Sequence, residues 1–429
     1  MESGMDLALN LAALAFFVGL AFYVASLGVM YTRRTALADV STQIEHEYLR
    51  ARIGQISDRR QFERERSELS WNGFRKFEVQ RKQLEAKDVC SFYLQPHDRK
   101  PLPPFEPGQF LTFQLGHPDQ PKPLIRCYSL SDSPNHPDYY RVTIKRVPPP
   151  RDKPDVPPGL SSNFFHDLIQ EGDILDVKAP SGHFFLDTAK QSPVVLIGGG
   201  VGLTPVLSML NWIVESGSRR ETHFFYGVTN GTDHAMKDHL KQINVENENV
   251  HLHICYSQPQ DSDVHGDDYH HEGRTSLELF REVLPNNNFD FYLCGPPPMM
   301  TTIVEGLEEW GVPEGRIHFE AFGPASVKKA KQEVAQAAEA EHPGETISIT
   351  FSRSGKSMDW KPDAGSILEF AEDQGIMIDS GCRAGNCGTC ITAIKEGDVT
   401  YVNEPGNPPE AGSCLTCISI PKNNLVIDA

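Results

Sequence analysis

Apolar and polar positions alternate with different rhythms along the chain. From Leu7 to Thr32 there are 26 residues without a charge, including the run Ala15-Phe16-Phe17-Val18-Gly19-Leu20-Ala21-Phe22-Tyr23-Val24. About 20 apolar residues suffice for a helix to cross a bilayer, so residues 7–32 predict a transmembrane helix. Residues 33–71 turn polar and rich in Arg and Glu, with Ile44, Tyr48, Leu49, Ile53 and Ile56 at helical spacing. That pattern predicts a juxtamembrane helical stalk; Gly54 and the absence of sustained heptads weigh against a coiled coil.

Residues 72–190 read as short β-rich runs, such as Gln109–Leu115, Tyr140–Lys145 and Asp173–Val177, broken by Pro and Gly. Several short strands with turn signals between them predict an antiparallel β-barrel or sandwich. Pro148 to Pro158 is too proline-rich for a strand and predicts an irregular loop. Over 191–325 the rhythm becomes strand–helix–strand, carried by Val194–Ile197, Thr222–Tyr226, Val250–Ile254 and Asp290–Cys294, which predicts a parallel α/β sheet. Residues 326–345 show no core pattern and predict a linker. A compact β-containing module occupies 346–429. The expected fold class is therefore multidomain: transmembrane helix, antiparallel β-barrel, α/β parallel-sheet domain and a small β module.

Charge sharpens this picture. A net charge of −18 argues against a nucleic-acid partner, because a phosphate backbone demands an electropositive face. Near the N-terminus, Glu2 and Asp6 precede the apolar run and Arg33-Arg34 follow it. A cleaved signal peptide would begin with a basic segment and carry a shorter apolar stretch. The charges therefore favour an uncleaved anchor, and the positive-inside rule puts everything after Arg34 on the cytoplasmic side. Five of the nine cysteines fall between Cys382 and Cys417, a distribution that suits metal ligation in a reducing compartment better than disulfides.

Three constellations carry chemistry. The first is Cys382-Arg383-Ala384-Gly385-Asn386-Cys387-Gly388-Thr389-Cys390, with Cys414 and Cys417 further on. Its C-x4-C-x2-C spacing is that of a plant-type 2Fe–2S cluster, whereas structural zinc sites pair two short cysteine spacings. Gly381, Gly385 and Gly388 suit a loop whose N–H groups must approach sulfide. Either Cys414 or Cys417 could complete the set. The stretch Leu415-Thr416-Cys417 resembles the last ligand segment of plant-type ferredoxins, a resemblance that implies Cys382, Cys387, Cys390 and Cys417 as ligands.

The second is Arg126-Cys127-Tyr128-Ser129, which resembles the R-x-Y-S signature of the ferredoxin–NADP reductase superfamily. An Arg offers charge and forked donors to a flavin phosphate, a Tyr can pack on the isoalloxazine, and a Ser can bond the ring edge. Pro107–Phe110, Val142–Lys145 with Thr143 and Lys145, and Ala179–Phe184 share the resemblance. Gly159-Leu160-Ser161-Ser162-Asn163 resembles the family's pyrophosphate segment at a helix start, where free N–H groups favour an anion. Gly159, Ser161 and Ser162 are thus implied flavin contacts, with FAD favoured over FMN because the segment suits a dinucleotide.

The third is Ile197-Gly198-Gly199-Gly200-Val201-Gly202-Leu203-Thr204-Pro205, a glycine-rich turn between a strand and a helix. Gly199, Gly200, Gly202, Thr204 and Pro205 are candidate dinucleotide contacts, although tight packing would also explain such glycines. Cys294-Gly295-Pro296-Pro297-Pro298-Met299 resembles the same superfamily's C-G-P-x-x-M element. The resemblance implies that Cys294 backs the nicotinamide, with Gly295, Pro296 and Met299 beside it; a small buried core thiol is the plain alternative. Where NADPH-preferring members carry Ser-Arg, this chain has Ser257-Gln258. Lacking that bidentate phosphate partner, it is expected to prefer NADH, with Arg274 as the distant base that would allow NADPH. Phe322 resembles the terminal aromatic that covers the flavin, and a packing role is the alternative.

Together, residues 72–325 resemble the ferredoxin–NADP reductase superfamily and 346–429 resemble plant-type ferredoxin, a β-grasp fold. The order is that of the phthalate dioxygenase reductase and phenylacetyl-CoA epoxidase reductase architecture, to which this chain adds an N-terminal anchor. The resemblance implies an oxidoreductase passing electrons from NADH through FAD and a 2Fe–2S cluster to an acceptor protein, with Ser129 and Cys294 as catalytic candidates. A membrane-associated oxygenase, desaturase or cytochrome is the expected acceptor. A quinone, a soluble oxygenase visiting the membrane, and a non-catalytic redox sensor are the alternatives.

Overall fold

A computed structural model describes the chain outside residues 1, 119–122, 150–157, 322–346, 382, 384, 386, 387, 403, 404, 406 and 407. Phe322, Cys382, Cys387, the linker and most of the proline-rich loop thus lie outside the described residues.

Helix α1 (Glu2–Leu69) runs unbroken through both the apolar run and the polar stalk. Its stretch Leu9–Arg34 has a mean hydropathy of 2.1 and none of its strongest window is buried, which makes it long and apolar enough to cross a membrane. The polar part is braced by i,i+4 contacts such as Arg59 Nε–Glu63 Oε1 at 2.9 Å.

Six antiparallel strands follow: β1 (Arg75–Ala86), β2 (Val89–Pro96), β3 (Phe110–Leu115), β4 (Leu124–Ser129), β5 (Tyr140–Lys145) and β6 (Ile174–Val177). They pair in the order β4-β3-β6-β1-β2-β5. The two edge strands meet beyond β4 through a bridge between Leu130 and Val142, and Ser131 N donates to Arg141 O at 2.9 Å, which makes the sheet barrel-like. Aromatic rings fill the inside, with Phe113 and Phe92 packed edge-on against Phe165 of helix α2 (Leu160–Asp167). Burying each such ring contributes roughly 1.5–3 kcal/mol.

The next sheet is wholly parallel. Its strands β7 (Val194–Gly199), β8 (Thr222–Val228), β9 (Val250–Tyr256), β10 (His271–Glu272), β11 (Asp290–Gly295) and β12 (Ile317–Ala321) lie in the order β10-β9-β8-β7-β11-β12. Parallel strands bury both faces. One face packs Leu196, Phe224 and Ile254 with α3 (Leu203–Glu215) and α4 (Lys237–Glu246). The other packs Val195, Ile197, Phe291 and Leu293 with α5 (Leu277–Val283) and α6 (Pro297–Glu309). Strand order reverses between β7 and β11, the place where open α/β sheets bind ligands.

The C-terminal module pairs β14 (Lys356–Trp360), β13 (Ile347–Phe351), β19 (Leu425–Ile427), β15 (Ile391–Glu396) and β17 (Ser413–Leu415) in that order. Two short strands, β16 (Val399–Tyr401) and β18 (Ser419–Pro421), form a separate pair. Helix α7 (Ile367–Asp373) packs on this core through Ile367, Phe370 and Ala371, and its Ser366–Glu369 capping box satisfies its first N–H groups.

Candidate functional site

At the switch point, Gly198 of β7 and Cys294 of β11 are register partners. The glycines beyond β7 are there for close approach. A Cβ on Gly202 would lie 2.1 Å from the Cys294 carbonyl oxygen, and one on Gly199 would lie 2.4 Å from Met299 Sδ. These two positions let the turn after β7 nest against Cys294-Gly295-Pro296. Gly200 differs: its φ of +54° favours glycine, and its Cβ position meets no atom of the described residues. Helix α3 opens at Gly202 with no side-chain cap; Leu203 N donates back to Gly200 O, and Pro205 carries no N–H. Thr204 is turned inward and donates to Val201 O at 3.1 Å, and Pro205 is buried beside it.

Cys294 is buried and has Glu320 of β12 as its register partner. Burial, with Glu320 adding to it, pushes the thiol well above its usual range. Glu320 is half-buried as a residue, but its Oε2 is sealed from solvent without a hydrogen-bond partner among the described residues. That burial raises its carboxyl to about 8, so it holds a proton at neutral pH. Sequence reasoning passed over Glu320. The signal was present, because an acidic residue whose carboxyl is sealed from solvent beside a core strand is a costly choice.

The flavin candidates lie on β4, β5 and the start of α2. Arg126 is exposed and pairs with no carboxylate among the described residues. Tyr128 and Ser161 join through their hydroxyls at 2.8 Å, and burial lifts the phenol to about 12. Ser129, at the end of β4, is buried. Gly159 caps α2 without a side-chain bond, leaving the helix start available to a pyrophosphate, and its Cβ position would press on Val147 and Ser162. Ser162 Oγ accepts from Val147 N at 3.2 Å. Thr143 points away from the core that its neighbours Val142 and Ile144 fill, and its buried hydroxyl is taken up by those of Ser91 and Ser131. Lys145 ends β5 and is half-buried. Strand β5 packs against the Gly200–Gly202 turn, so the flavin strand and the glycine turn are neighbours.

Pro107–Phe110 and Ala179–Phe184 pair with each other through the Phe110–Ser181 bridge. Gln109, buried, donates to Gly182 O at 3.2 Å, and its carbonyl accepts from Leu130 N at 2.8 Å. These two segments thus support the R-x-Y-S strand from behind.

In the C-terminal module, Cys390 Sγ and Cys417 Sγ lie 3.1 Å apart and both are buried. That is well beyond the ~2.05 Å of a disulfide and suits two thiolates sharing one iron. Cys414 points elsewhere on β17, fully buried, its thiol pushed up to about 12 by burial. Thr416 locks the pair by donating its hydroxyl to Cys390 O at 3.1 Å. Arg383 adopts the left-handed region at φ 54°, and its guanidinium grips both oxygens of Glu372 on α7. A bidentate pair of this kind offsets the strain of a non-glycine residue there. Gly385 faces Ile418 so closely that a Cβ would lie 2.3 Å from its Cδ1.

Comparison with known proteins agrees with this architecture. Residues 76–186 match the oxidoreductase FAD-binding domain, 196–305 the oxidoreductase NAD-binding domain, and 349–422 the 2Fe–2S iron–sulfur cluster binding domain. A flavohemoprotein of Halalkalibacterium halodurans is 43% identical over 255 residues, 59% of this chain and 61% of that protein. One from Rhodopirellula baltica is 42% identical over 255 residues, 59% of this chain and 62% of its own. The chain thus spans about three fifths of the length of these curated relatives. Among solved structures, the FAD/NAD-binding domain of nitric oxide dioxygenase from Vibrio cholerae aligns at 30% identity and a TM-score of 0.52, over 59% of this chain and all of that one. Phthalate dioxygenase reductase aligns at 28% identity and a TM-score of 0.51, over 83% of this chain and 98% of that one. Fold and site together define an oxidoreductase with FAD-binding, NAD-binding and 2Fe–2S domains. The chain belongs to the ferredoxin–NADP reductase superfamily, in the domain order of phthalate dioxygenase reductase.

Proposed function

We propose that this protein is a membrane-anchored, NADH-dependent oxidoreductase that passes electrons through FAD and its own 2Fe–2S cluster to an acceptor protein. The observation that carries this reading is the nesting of the Gly199–Gly202 turn against Cys294 at the switch point, in a chain that continues into a paired-cysteine module. NADH supplies a hydride, the flavin accepts two electrons and releases them singly, and the cluster relays them. The chain's own task is placement. Gly200 and the start of α3 would admit the dinucleotide phosphates, Cys294 with protonated Glu320 would back the nicotinamide, and Ser129 would bond the flavin edge. Arg126 and the opening of α2 would hold the flavin phosphates, and Cys382, Cys387, Cys390 and Cys417 would hold the cluster.

Preference for NADH is supported by the loop after β8. Asp263 accepts from Gly231 N at 3.3 Å and from Gln260 N at 2.8 Å, which puts a carboxylate, rather than a base, beside Thr229, Asn230 and Gln258. A 2′-phosphate there would meet like charge. The apolar stretch of α1 supports a membrane anchor, with the catalytic domains cytoplasmic and the acceptor a membrane-associated oxygenase, desaturase or cytochrome. More acidic than basic residues in the C-terminal module favour a basic docking face on that acceptor.

The test uses the full chain extracted from membranes in mild detergent. NADH should drive reduction of both ferricyanide and cytochrome c. Cys417→Ser should abolish the cytochrome c activity and spare that with ferricyanide. Undiminished cytochrome c reduction without the cluster would overturn the proposed route, and chain released from membranes by alkaline carbonate would overturn the anchor.

A further inference from the structure

A row of residues runs across the parallel sheet in register: Ile317, Phe291, Val195, His223 and His251 on β12, β11, β7, β8 and β9. Three are apolar core positions, and then the face changes to imidazole. The next row repeats the change, with Leu293, Ile197 and Phe225 followed by His253. Glu221 stands immediately before β8. Its carboxylate and the ring nitrogens of His223 and His251 offer ligand atoms that all lie within 4.8 Å of one another. His223 is buried, His251 is exposed and Glu221 is half-exposed, so the group opens to solvent on one side only.

Its supports are those of a metal site. His223 Nε2 faces Glu221 Oε1 at 3.3 Å, while Nδ1, on the opposite side of the ring, meets His253 Nε2 at 3.2 Å. His253 Nδ1 in turn meets His271 Nε2 at 3.4 Å. If each Nδ1–H donates along this chain, the Nε2 lone pair of His223 points at a carboxylate. Two electron-rich atoms then face each other, an arrangement that a cation between them makes favourable. A ligating histidine ordinarily has its other ring nitrogen engaged in this way. Phe289 packs edge-on against the His223 ring at 5.5 Å and Phe225 stacks on His253 at 4.4 Å, so the rotamers are held before any ion arrives.

The geometry points to a divalent metal site formed by Glu221, His223 and His251, of the zinc class, with water in the remaining position. Two imidazoles and one carboxylate are a common protein ligand set for Zn2+. The site lies at the N-terminal ends of β8 and β9, whereas the nicotinamide candidates lie at the C-terminal ends of β7 and β11. A seven-residue strand separates the two ends by roughly 20 Å. An ion here therefore acts on the stability of the α/β domain, clamping β8 to β9, and takes no part in hydride transfer.

Equilibrium dialysis of the full detergent-extracted chain against Zn2+, with metal content measured by mass spectrometry, tests this directly. The wild-type chain should retain one equivalent more than His251→Ala or Glu221→Gln. Zn2+ should also raise the thermal midpoint of wild type and leave that of the variants unmoved. His251 is exposed and Glu221 half-exposed, so both variants should fold, which NADH:ferricyanide activity equal to wild type would verify. Equal zinc content in wild type and folded variants would overturn the site and leave the imidazoles as a hydrogen-bonded chain with the opposite tautomers, Glu221 accepting from His223. Cysteine-bound zinc cannot mimic the result, because every cysteine is retained in both variants.

Discussion

Asn211 Nδ2 donates to Asp132 Oδ1 at 2.9 Å, joining the helix that opens at the glycine turn to the loop three residues beyond Ser129. Ser208, one turn earlier on α3, donates to Asp132 O at 2.7 Å, and His239 Nε2 lies 2.8 Å from the other end of the Asn211 amide. Asp132 is itself held by Arg141, Tyr139 and Ser133. This buried polar knot ties the flavin sheet to α3, and so sets the placement of one candidate nucleotide segment against the other. Asn211→Ala leaves Asp132 paired with Arg141, so the fold should survive. Flavin reduction by NADH, followed by stopped flow, should slow about tenfold, equivalent to about 1.4 kcal/mol, with flavin content unchanged.

Ser129 ends β4 in a buried position next to that knot. Ser129→Ala should slow hydride transfer from NADH while reduction of the cluster by dithionite proceeds normally. A normal rate of flavin reduction would remove Ser129 from the alignment of the reacting rings.

The two C-terminal thiols make opposite predictions. Cys417→Ser should lose the visible absorbance and the paramagnetic signal of the reduced cluster, because its partner Cys390 stands 3.1 Å away. Cys414→Ser should keep both, since Cys414 is a separate buried thiol on β17. Replacing Arg383 with Ala should make the cluster easier to lose on dilution, as the loop would then hold a strained residue without its grip on Glu372.

Nucleotide choice should follow charge. The wild-type kcat/KM for NADH is expected to exceed that for NADPH at least about tenfold, the equivalent of one favourable ion pair. Combining Gln258→Arg with Asp263→Asn should narrow the gap by raising the NADPH value. Equal values for the two nucleotides in the wild-type chain would refute the argument.

His234 gives the α/β domain a pH dependence. Burial, with Lys237 next in effect, lowers its pKa to about 3, while its Nδ1 meets Tyr256 OH at 2.8 Å and its Nε2 is sealed without a partner among the described residues. A histidine with a depressed folded pKa takes up its proton more readily when unfolded. Its contribution is therefore intact above about pH 6.5 and declines as pH falls towards 3, by about 1.4 kcal/mol per pH unit. His234→Gln should flatten the dependence of the urea midpoint on pH between roughly 6 and 4.

Much of the candidate site was legible in the chain because it is local. The C-x4-C-x2-C spacing, the glycine turn between Ile197 and Leu203, and the uncharged run before Arg33 each depend on covalent neighbours. The strands at 109–115, 140–145, 194–197 and 290–294 were also legible, from their apolar runs and the breakers around them. Thr143 was less so. Its side chain meets Ser91 and Ser131 on the buried face opposite the core, and the two faces of a strand cannot be told apart until its partners are known.

The sequence by itself determined the ligand spacing, the glycine turn and the apolar length of α1, since bond geometry and periodicity impose these wherever the chain goes. Tertiary structure alone decided that Asp132 meets Asn211, that the sulfurs of Cys390 and Cys417 come into contact, and that His223 and His251 share a row. Each of those contacts joins residues 27 or more positions apart. The physical reason is register: one residue of slip between paired strands turns every side chain to the opposite face, and only the packed sheet sets that register.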